Sequence, residues 1–173
     1  MDDGPRLPAE QRARVLIDAQ LTAAGWVVQD RKDLNLFAGP GVGVREVVMA
    51  AGHGRVDYLL YVDRQVVGVI EAKPAGTALS GVEWQSAMYA TGLPADHRKR
   101  AVVVAGRLPF VFEASGTETH FTNGFDPDPR ARRVFAFPKP GTLARMVRDA
   151  EADPDRPTWR AKVRHLPPLD VAP

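Results

Sequence analysis

The chain has 173 residues, of which 45% are hydrophobic and 25% are charged, and it contains no cysteine. These proportions are typical of one folded globular domain rather than a disordered segment. The lack of cysteine excludes disulfides, cysteine–zinc sites and thiol nucleophiles. No apolar run approaches the roughly 20 residues that a membrane helix needs, and the first residues form no apolar signal segment. A cytoplasmic protein is therefore expected.

Charge is distributed unevenly around a formal net value of +2. Residues 1–93 carry 9 basic and 11 acidic side chains, whereas residues 94–173 carry 14 and 10. The second half includes two basic clusters, at residues 97–100 and 130–133, and such clusters can contact phosphates. Solvated surface charge explains either cluster alone equally well, so charge permits nucleic-acid binding without demonstrating it.

Hydrophobic periodicity and turn residues predict the elements of the first half of the chain. A helix is expected first, because apolar residues recur at helical spacing. A polar, glycine-rich loop follows it, and then three strands, of which the last two form a hairpin. The predicted elements are a helix at 8–24 ended by Gly25, a loop as far as Val42, and strands at 44–49, 56–62 and 66–72.

The second half of the chain is predicted to alternate in the same way. A capping box at residues 80–83 opens a helix, and short apolar or β-branched runs follow it. The predicted elements are a helix at 80–91, a strand at 101–105, a hairpin of strands at 110–114 and 119–122, a strand at 134–137 and a helix at 142–150. The order is αβββαβ followed by a β-rich extension.

The central hairpin brings together side chains that can do chemistry. A three-residue loop centred on Arg64 pairs residues whose numbers sum to 128, and Asp57 then lies opposite Glu71. Lys73 is two residues further along and shares the face of Glu71. A two-residue turn would instead place Glu71 on the opposite face, and a surface hairpin with a Glu–Lys pair is the structural alternative.

Two opposed carboxylates repel each other unless a cation or a proton separates them. Carboxylate oxygens suit Mg²⁺, and a cation held there can activate a phosphodiester and the water that attacks it. Lys73 could orient that water or neutralise charge that develops on the phosphate. In the next predicted helix Gln85 and Tyr89 are four residues apart and share a face, from which they can reach the same phosphate.

At these residues the sequence resembles a known nuclease family. Asp57, Glu71-Ala72-Lys73 and Gln85-x-x-x-Tyr89 look like the PD-(D/E)XK signature in its form with a downstream Gln-x-x-x-Tyr. More narrowly, the chain resembles the N-terminal nuclease domain of type I restriction enzyme R subunits over most of residues 10–150. Val56 stands where the family name has proline, at a position that varies in the family.

The resemblance implies an α/β, restriction-endonuclease-like fold, in which a central mixed sheet is flanked by helices and a β-hairpin extension is added. It implies a nuclease domain at residues 1–150 and a proline-rich tail or linker at 151–173, leading toward a helicase motor that is absent here. No P-loop signature for such a motor occurs in the sequence. Whether the chain is an excised domain or a small stand-alone relative stays open.

The resemblance also implies the activity and the roles of the site residues. The activity is Mg²⁺-dependent endonucleolytic hydrolysis of double-stranded DNA, with Mn²⁺ as a substitute, inside a restriction system whose motor, methyltransferase and specificity subunits are partners. The implied roles are metal ligation by Asp57, Glu71 and the Ala72 carbonyl, catalysis by Lys73, and assistance to cleavage or DNA binding by Gln85 and Tyr89.

Two further sets of residues are weaker candidates for the site. Glu10 matches an acidic position that can face the metal in related nucleases, but an exposed glutamate favoured by the helix dipole is an equal alternative. Arg98, Lys99 and Arg100 precede a predicted strand and are expected near one rim of the DNA cleft. The alternative function for the whole chain is a catalytically weak DNA-binding or docking module with the same fold, which anchors a larger complex.

Overall fold

A mixed seven-stranded sheet forms the centre of the protein. The computed structural model describes residues 8–50, 52–79 and 90–164. The strands lie in the sheet in chain order; β1–β2 and β4–β5 are parallel pairs and the other neighbours are antiparallel. They are β1 (Val27–Asp30), β2 (Gly41–Val48), β3 (Arg55–Val62), β4 (Gln65–Ala72), β5 (Phe110–Ala114), β6 (Thr119–Asn123) and β7 (Arg132–Val134).

Residues 90–92 are helical, and four further helices lie wholly within the described part of the chain. They are α1 (Ala9–Ala23), α2 (Ala95–Arg98), α3 (Pro140–Ala152) and α4 (Trp159–Arg164), and a single 3₁₀ turn spans Arg31–Asp33. None of the helices in the described residues is long and apolar enough to cross a membrane. The predicted α/β class with a mixed sheet and flanking helices is confirmed.

Helix α1 ends as its sequence predicts. Gly25 adopts a φ of 89°, and the Trp26 amide donates back to the Leu21 carbonyl at 3.0 Å, which is the pattern of a glycine-terminated helix. Trp26 is buried beneath this turn. The chain then enters β1 directly. The loop predicted after Val28 begins later than expected, because Gln29 and Asp30 also pair with β2.

The sheet is buried on both faces, and this explains why β3 and β4 are almost wholly apolar. On one face α1 and α3 pack against Tyr58, Ile70 and Phe112. On the other face Leu59, Val69 and Val111 pack against Leu93 and Leu108. Tyr58 also donates a hydrogen bond of 2.8 Å to Asp18, which ties α1 to the sheet.

The prediction of a strand at residues 101–105 is wrong. Only isolated bridges form there, at Ala101 and Val104, and Ala105 adopts a φ of 49° that interrupts extended backbone. The next strand of the sheet is β5, whose aromatic side chains at Phe110 and Phe112 are buried. The hairpin predicted at 110–122 is therefore not an extension: its first strand is the parallel neighbour of β4.

The C-terminal part of the described chain packs on the domain. Helix α3 runs two residues past the predicted end of the domain at residue 150. Ala161 of α4 is buried, and Arg160 forms an ion pair of 3.0 Å with Asp126. Residues 165–173 lie outside the described residues, and the division into a domain and a tail stays a prediction.

Candidate functional site

The geometry of the β3–β4 hairpin decides whether Asp57 and Glu71 can meet. Its turn has two residues, Asp63 and Arg64, which both adopt positive φ as in a type I′ turn, so the predicted three-residue loop is wrong. Near the turn the paired numbers sum to 127, as in Tyr61 with Val66. A register shift then follows, and Leu60 pairs with Gly68.

Beyond this shift the paired residues sum to 128, as in Tyr58 with Ile70. Continuing this register by one residue brings Asp57 opposite Glu71, as the sequence predicted, but for a different reason. A β-bulge adds the one residue that the shorter turn lacks, so Asp57 and Glu71 return to one face.

Asp57 is held by a network from α1 and β4. One carboxylate oxygen accepts a hydrogen bond from the Ala72 amide at 2.9 Å, and the other lies 2.5 Å from Nη2 of Arg14. Nη1 of Arg14 contacts Glu46 at 2.7 Å. Only 12% of the Asp57 side chain is exposed. The guanidinium neutralises a carboxylate that would otherwise be buried without a counter-charge.

Glu71 has its own cation. Nζ of Lys73 lies 3.1 Å from Oε1 of Glu71, and the Lys73 amide donates to the Ala114 carbonyl at 2.8 Å. The Glu71 side chain is 20% exposed and the Lys73 side chain is 31% exposed. Both are therefore open to solvent, while their backbones are fixed by hydrogen bonds to neighbouring strands. The structure thus places Asp57, Glu71, Ala72 and Lys73 at one end of the hairpin.

Two ionisable residues of this region are missing from the sequence-based candidates. Glu113 pairs with Glu71 across the parallel strands, and His120 pairs with Glu113. Direct partners in a sheet share a face, so an ionisable row crosses it at this level. Burial raises the pKa of Glu113 and nearby Glu71 raises it further, against the opposing effects of Lys73 and His120. Its Oε2 atom is buried without a hydrogen-bond partner among the described residues.

A sequence signal for Glu113 exists. Residues 69–72 read Val-Ile-Glu-Ala and residues 111–114 read Val-Phe-Glu-Ala, and the structure pairs these two segments in register. Arg14 gives a weaker signal, because it lies beside the buried stripe of α1 formed by Ala13 and Ile17.

Glu113→Gln is expected to stabilise the protein at pH 8. Because the pKa of Glu113 is raised above its ordinary 4.5 in the folded state, its stabilising contribution is complete below that value. The contribution is lost as pH rises through the folded-state pKa. The variant should gain about 1 kcal/mol at pH 8 and almost nothing at pH 4, measured by urea denaturation.

Glu118→Gln is the matched control for this prediction. Glu118 is 42% exposed and pairs with Arg133 at 3.2 Å, so its loss should not produce a gain that grows with pH. A Glu113→Gln protein that is less stable than wild type at pH 8 would show that the carboxylate is stabilised in its charged form.

The other site candidates from the sequence are Glu10, Gln85 and Tyr89. Glu10 is exposed in the first turn of α1, one turn before Arg14 on the same side of the helix. Gln85 and Tyr89, with most of the helix predicted for them, lie outside the described residues. The structure records no contact between Glu10 and the hairpin.

Arg98, Lys99 and Arg100 lie far from Glu71. The Arg100 carbonyl accepts a hydrogen bond from the amide of Val66, near the start of β4, and Glu71 is near its end. Five residues of strand separate them, about 16 Å. Nη2 of Arg98 donates to the Thr91 and Leu93 carbonyls at 3.0 and 2.8 Å, which gives this side chain a structural role. Contact of these residues with DNA stays a prediction.

The donor set at the hairpin fits a hard divalent cation. Asp57 and Glu71 offer carboxylate oxygens on neighbouring strands, and Mg²⁺ is commonly held by one or two carboxylates together with waters. Within residues 8–50, 52–79 and 90–164, no three acidic or histidine side chains are already arranged as a metal site. The cations that now neutralise these carboxylates are the protein's own Arg14 and Lys73.

Comparisons with known proteins agree with this fold. Residues 38–122 match the family model of the type I restriction enzyme EcoKI endonuclease subunit second domain. The fold matches the structure of a fragment of a protein assigned as the HsdR subunit of a type I restriction enzyme from Vibrio vulnificus YJ016. The TM-score is 0.58 and the identity 20% over 88% of this chain.

This chain spans 28% of that fragment's length. A comparison with curated proteins finds no significant match. The matched region contains β2 to β5 and most of β6, and therefore includes the hairpin with Asp57, Glu71 and Lys73. The match to the type I restriction enzyme endonuclease subunit family thus covers residues 38–122, just under half of this chain.

Proposed function

We propose that this chain carries the DNA-cleaving site of a type I restriction system, a Mg²⁺-dependent endodeoxyribonuclease of the PD-(D/E)XK type. The observation that carries the proposal is the register of the β3–β4 hairpin. Continued one residue beyond Tyr58 and Ile70, this register brings Asp57 opposite Glu71, and Lys73 lies 3.1 Å from Glu71 at the same end. The match of residues 38–122 to the model of an endonuclease subunit family supports the same conclusion.

Asp57 and Glu71 would hold the cation, with the Ala72 carbonyl as a third oxygen donor. The bound cation supplies Lewis-acid activation of the phosphodiester and of the attacking water. Mn²⁺ is expected to replace Mg²⁺ because it accepts the same oxygen ligands.

Lys73 has a separate task in the proposed reaction. With Glu71 engaged as a cation ligand, the Lys73 ammonium would be free to face the substrate. There it holds a phosphate oxygen or the attacking water and stabilises the negative charge that grows in the transition state. Gln85 and Tyr89 are proposed to assist cleavage or to hold the DNA.

Arg14 would fix the position of the Asp57 carboxylate before a cation binds. The ion pair with Arg14 holds Asp57 beside the Ala72 amide, so one ligand needs no rearrangement of the backbone. Glu46 also contacts Arg14, and it would retain the guanidinium if Asp57 were engaged as a cation ligand.

The partners follow from the family as proposals. Double-stranded DNA is the proposed substrate, and a helicase motor with methyltransferase and specificity subunits completes the proposed assembly. A cytoplasmic location agrees with a restriction system.

The test is metal-dependent nicking of supercoiled plasmid by the purified chain, together with direct measurement of Mn²⁺ binding by electron paramagnetic resonance. Nicking with Mg²⁺ or Mn²⁺, absent with EDTA, is expected from wild type. Asp57→Asn should lose both cation binding and nicking. Asp155→Asn, a change at an exposed aspartate remote from the hairpin, should keep both.

Two outcomes would contradict the proposal. One is nicking by Asp57→Asn at the wild-type rate, and the other is the absence of Mn²⁺ binding by wild type. DNA binding without any cation binding would favour the docking module instead.

A further inference from the structure

Four arginines surround a cavity at the far edge of the sheet from β1. The cavity has a volume of about 260 Å³. We name it the arginine cleft, and its lining consists of Pro127, Asp128, Arg130, Arg132, Arg160 and Arg164. Arg130 and Arg132 come from the basic cluster at residues 130–133, whereas Arg160 and Arg164 are one turn apart on α4.

The buried carboxylate of Asp126 fixes the positions of two arginines in this cleft. One oxygen of Asp126, whose side chain is 1% exposed, lies 3.3 Å from Nη1 of Arg132 and 3.0 Å from Nη1 of Arg160. It therefore holds two guanidiniums from β7 and α4 side by side, against their mutual repulsion. The exposed fractions of the two side chains are 41% and 46%, so both still face solvent.

The charges in the cleft are not balanced. Arg130 forms an ion pair with Asp128 at 2.7 Å, and Asp126 forms ion pairs with both Arg132 and Arg160. The side chain of Arg164 has no ion-pair or hydrogen-bond partner in the part of the chain that the structure describes. Four positive charges and two negative charges leave a net charge of +2 in a preformed pocket, which suits an anion with several oxygens.

The positive surface continues beyond the cleft. Arg160 also lines a neighbouring cavity of about 330 Å³, which includes Arg145, Lys162 and the largely exposed Trp159. Asp126 and Asp149 are its acidic members. Two basic cavities joined through one arginine fit a polymer with repeated phosphates better than a single free anion.

We propose that the arginine cleft binds backbone phosphates of double-stranded DNA, as a contact separate from the hairpin that carries Glu71. Its strand, β7, lies three strands from β4, about 14 Å across the sheet, or about four nucleotides along a DNA strand. The choice of DNA as the polyanion rests on the proposed function, whereas the preference for phosphates rests on the arginines themselves.

The test uses the double variant Arg130→Gln/Arg164→Gln in the full chain. Replacing Arg132 or Arg160 would leave Asp126 poorly compensated and could unfold the protein, whereas Arg130 and Arg164 have no contact with Asp126 in the structure. Unfolding temperature should stay at the wild-type value. The control is Arg31→Gln/Arg148→Gln, which removes the same charge at two exposed sites outside both cavities.

The measurement is fluorescence anisotropy with a duplex DNA oligonucleotide in EDTA, over a series of salt concentrations. The cleft variant should bind about tenfold more weakly than wild type near 0.1 M salt. The slope of log affinity against log salt should fall by about 1.8, which corresponds to two lost phosphate contacts. The control variant should change the slope by much less.

Three outcomes would overturn the proposal. The first is a cleft variant with the slope and affinity of wild type, and the second is an equal loss in the control variant. The third is binding of inorganic phosphate that the cleft variant loses while its DNA affinity is unchanged, which would assign the cleft to a free anion. Since no divalent cation is present, failure of the nuclease proposal would leave this result unaffected.

Discussion

Replacing Lys73 with alanine is expected to slow DNA cleavage by the assembled restriction enzyme by about 100- to 1,000-fold. That is the usual cost of removing one group that stabilises charge in a transition state. The fold should survive the change, since the pair of Lys73 with Glu71 is partly exposed and should contribute no more than about 1 kcal/mol. Loss of cleavage without loss of stability is the diagnostic combination.

The Lys73 variant should be compared with Lys139→Ala in the same assays. Lys139 is an exposed lysine that precedes α3, and its loss should leave cleavage unchanged. Cleavage and ATP-driven translocation by the parent motor should be measured on the same preparation. Translocation is expected at the wild-type rate, because the proposed motor lies outside this chain. A Lys73→Ala enzyme that cuts at the wild-type rate would show that the hairpin is not the nuclease site.

Replacing Asp57 with alanine is expected to affect both the fold and the cation. Two opposed carboxylates would repel if nothing neutralised them, and their loss would then stabilise the protein. The structure shows instead that Asp57 accepts hydrogen bonds from Arg14 and the Ala72 amide in a site where only 12% of its side chain is exposed. Its removal should therefore cost about 2 kcal/mol in the free energy of unfolding, measured with urea.

Asp30→Ala is the control for the stability part of this prediction. Asp30 pairs with Arg45 at 3.0 Å but is 52% exposed, and its loss should cost less than about 1 kcal/mol. A double-mutant cycle of Arg14→Ala with Asp57→Ala isolates the pair, and coupling near zero would contradict the network.

The cation part of the prediction has its own measurement. Mn²⁺ at ten times its dissociation constant should stabilise wild type by about 1.4 kcal/mol and Asp57→Ala by almost nothing. Equal stabilisation of both proteins would place the cation elsewhere.

Local patterns predict most of the elements correctly. Apolar spacing and Gly25 locate α1 and its end, since a glycine at positive φ is the simplest way to terminate a helix. Runs of β-branched residues locate β3 and β4 to within one residue at either end. The hairpin of β5 and β6 is also predicted nearly to the residue, because a short polar turn separates two apolar runs.

Local sequence patterns do not predict which strands become neighbours in the sheet when they are distant in the chain. The segment 101–105 is apolar enough for a strand, yet the neighbour of β4 is β5. Buried Phe110 and Phe112 fill more of the core there, and Gly68 leaves room for the backbone of Phe110, whose oxygen would lie 2.3 Å from an added Cβ atom. Such a fit between two segments is a property of packing, not of either segment alone.

For the candidate site too, some features are predictable from sequence and others depend on the tertiary structure. Asp57, Glu71 and Lys73 are identifiable from sequence because charged residues interrupt apolar strands at positions that alternation places on one face. Only the tertiary structure supplies the bulge that corrects the hairpin register, the pairing of Glu71 with Glu113, and the approach of Arg14 from α1 to Asp57. The physical reason is that alternation acts within a strand, whereas a bulge, a strand neighbour and a helix contact depend on segments that meet only when the core is packed.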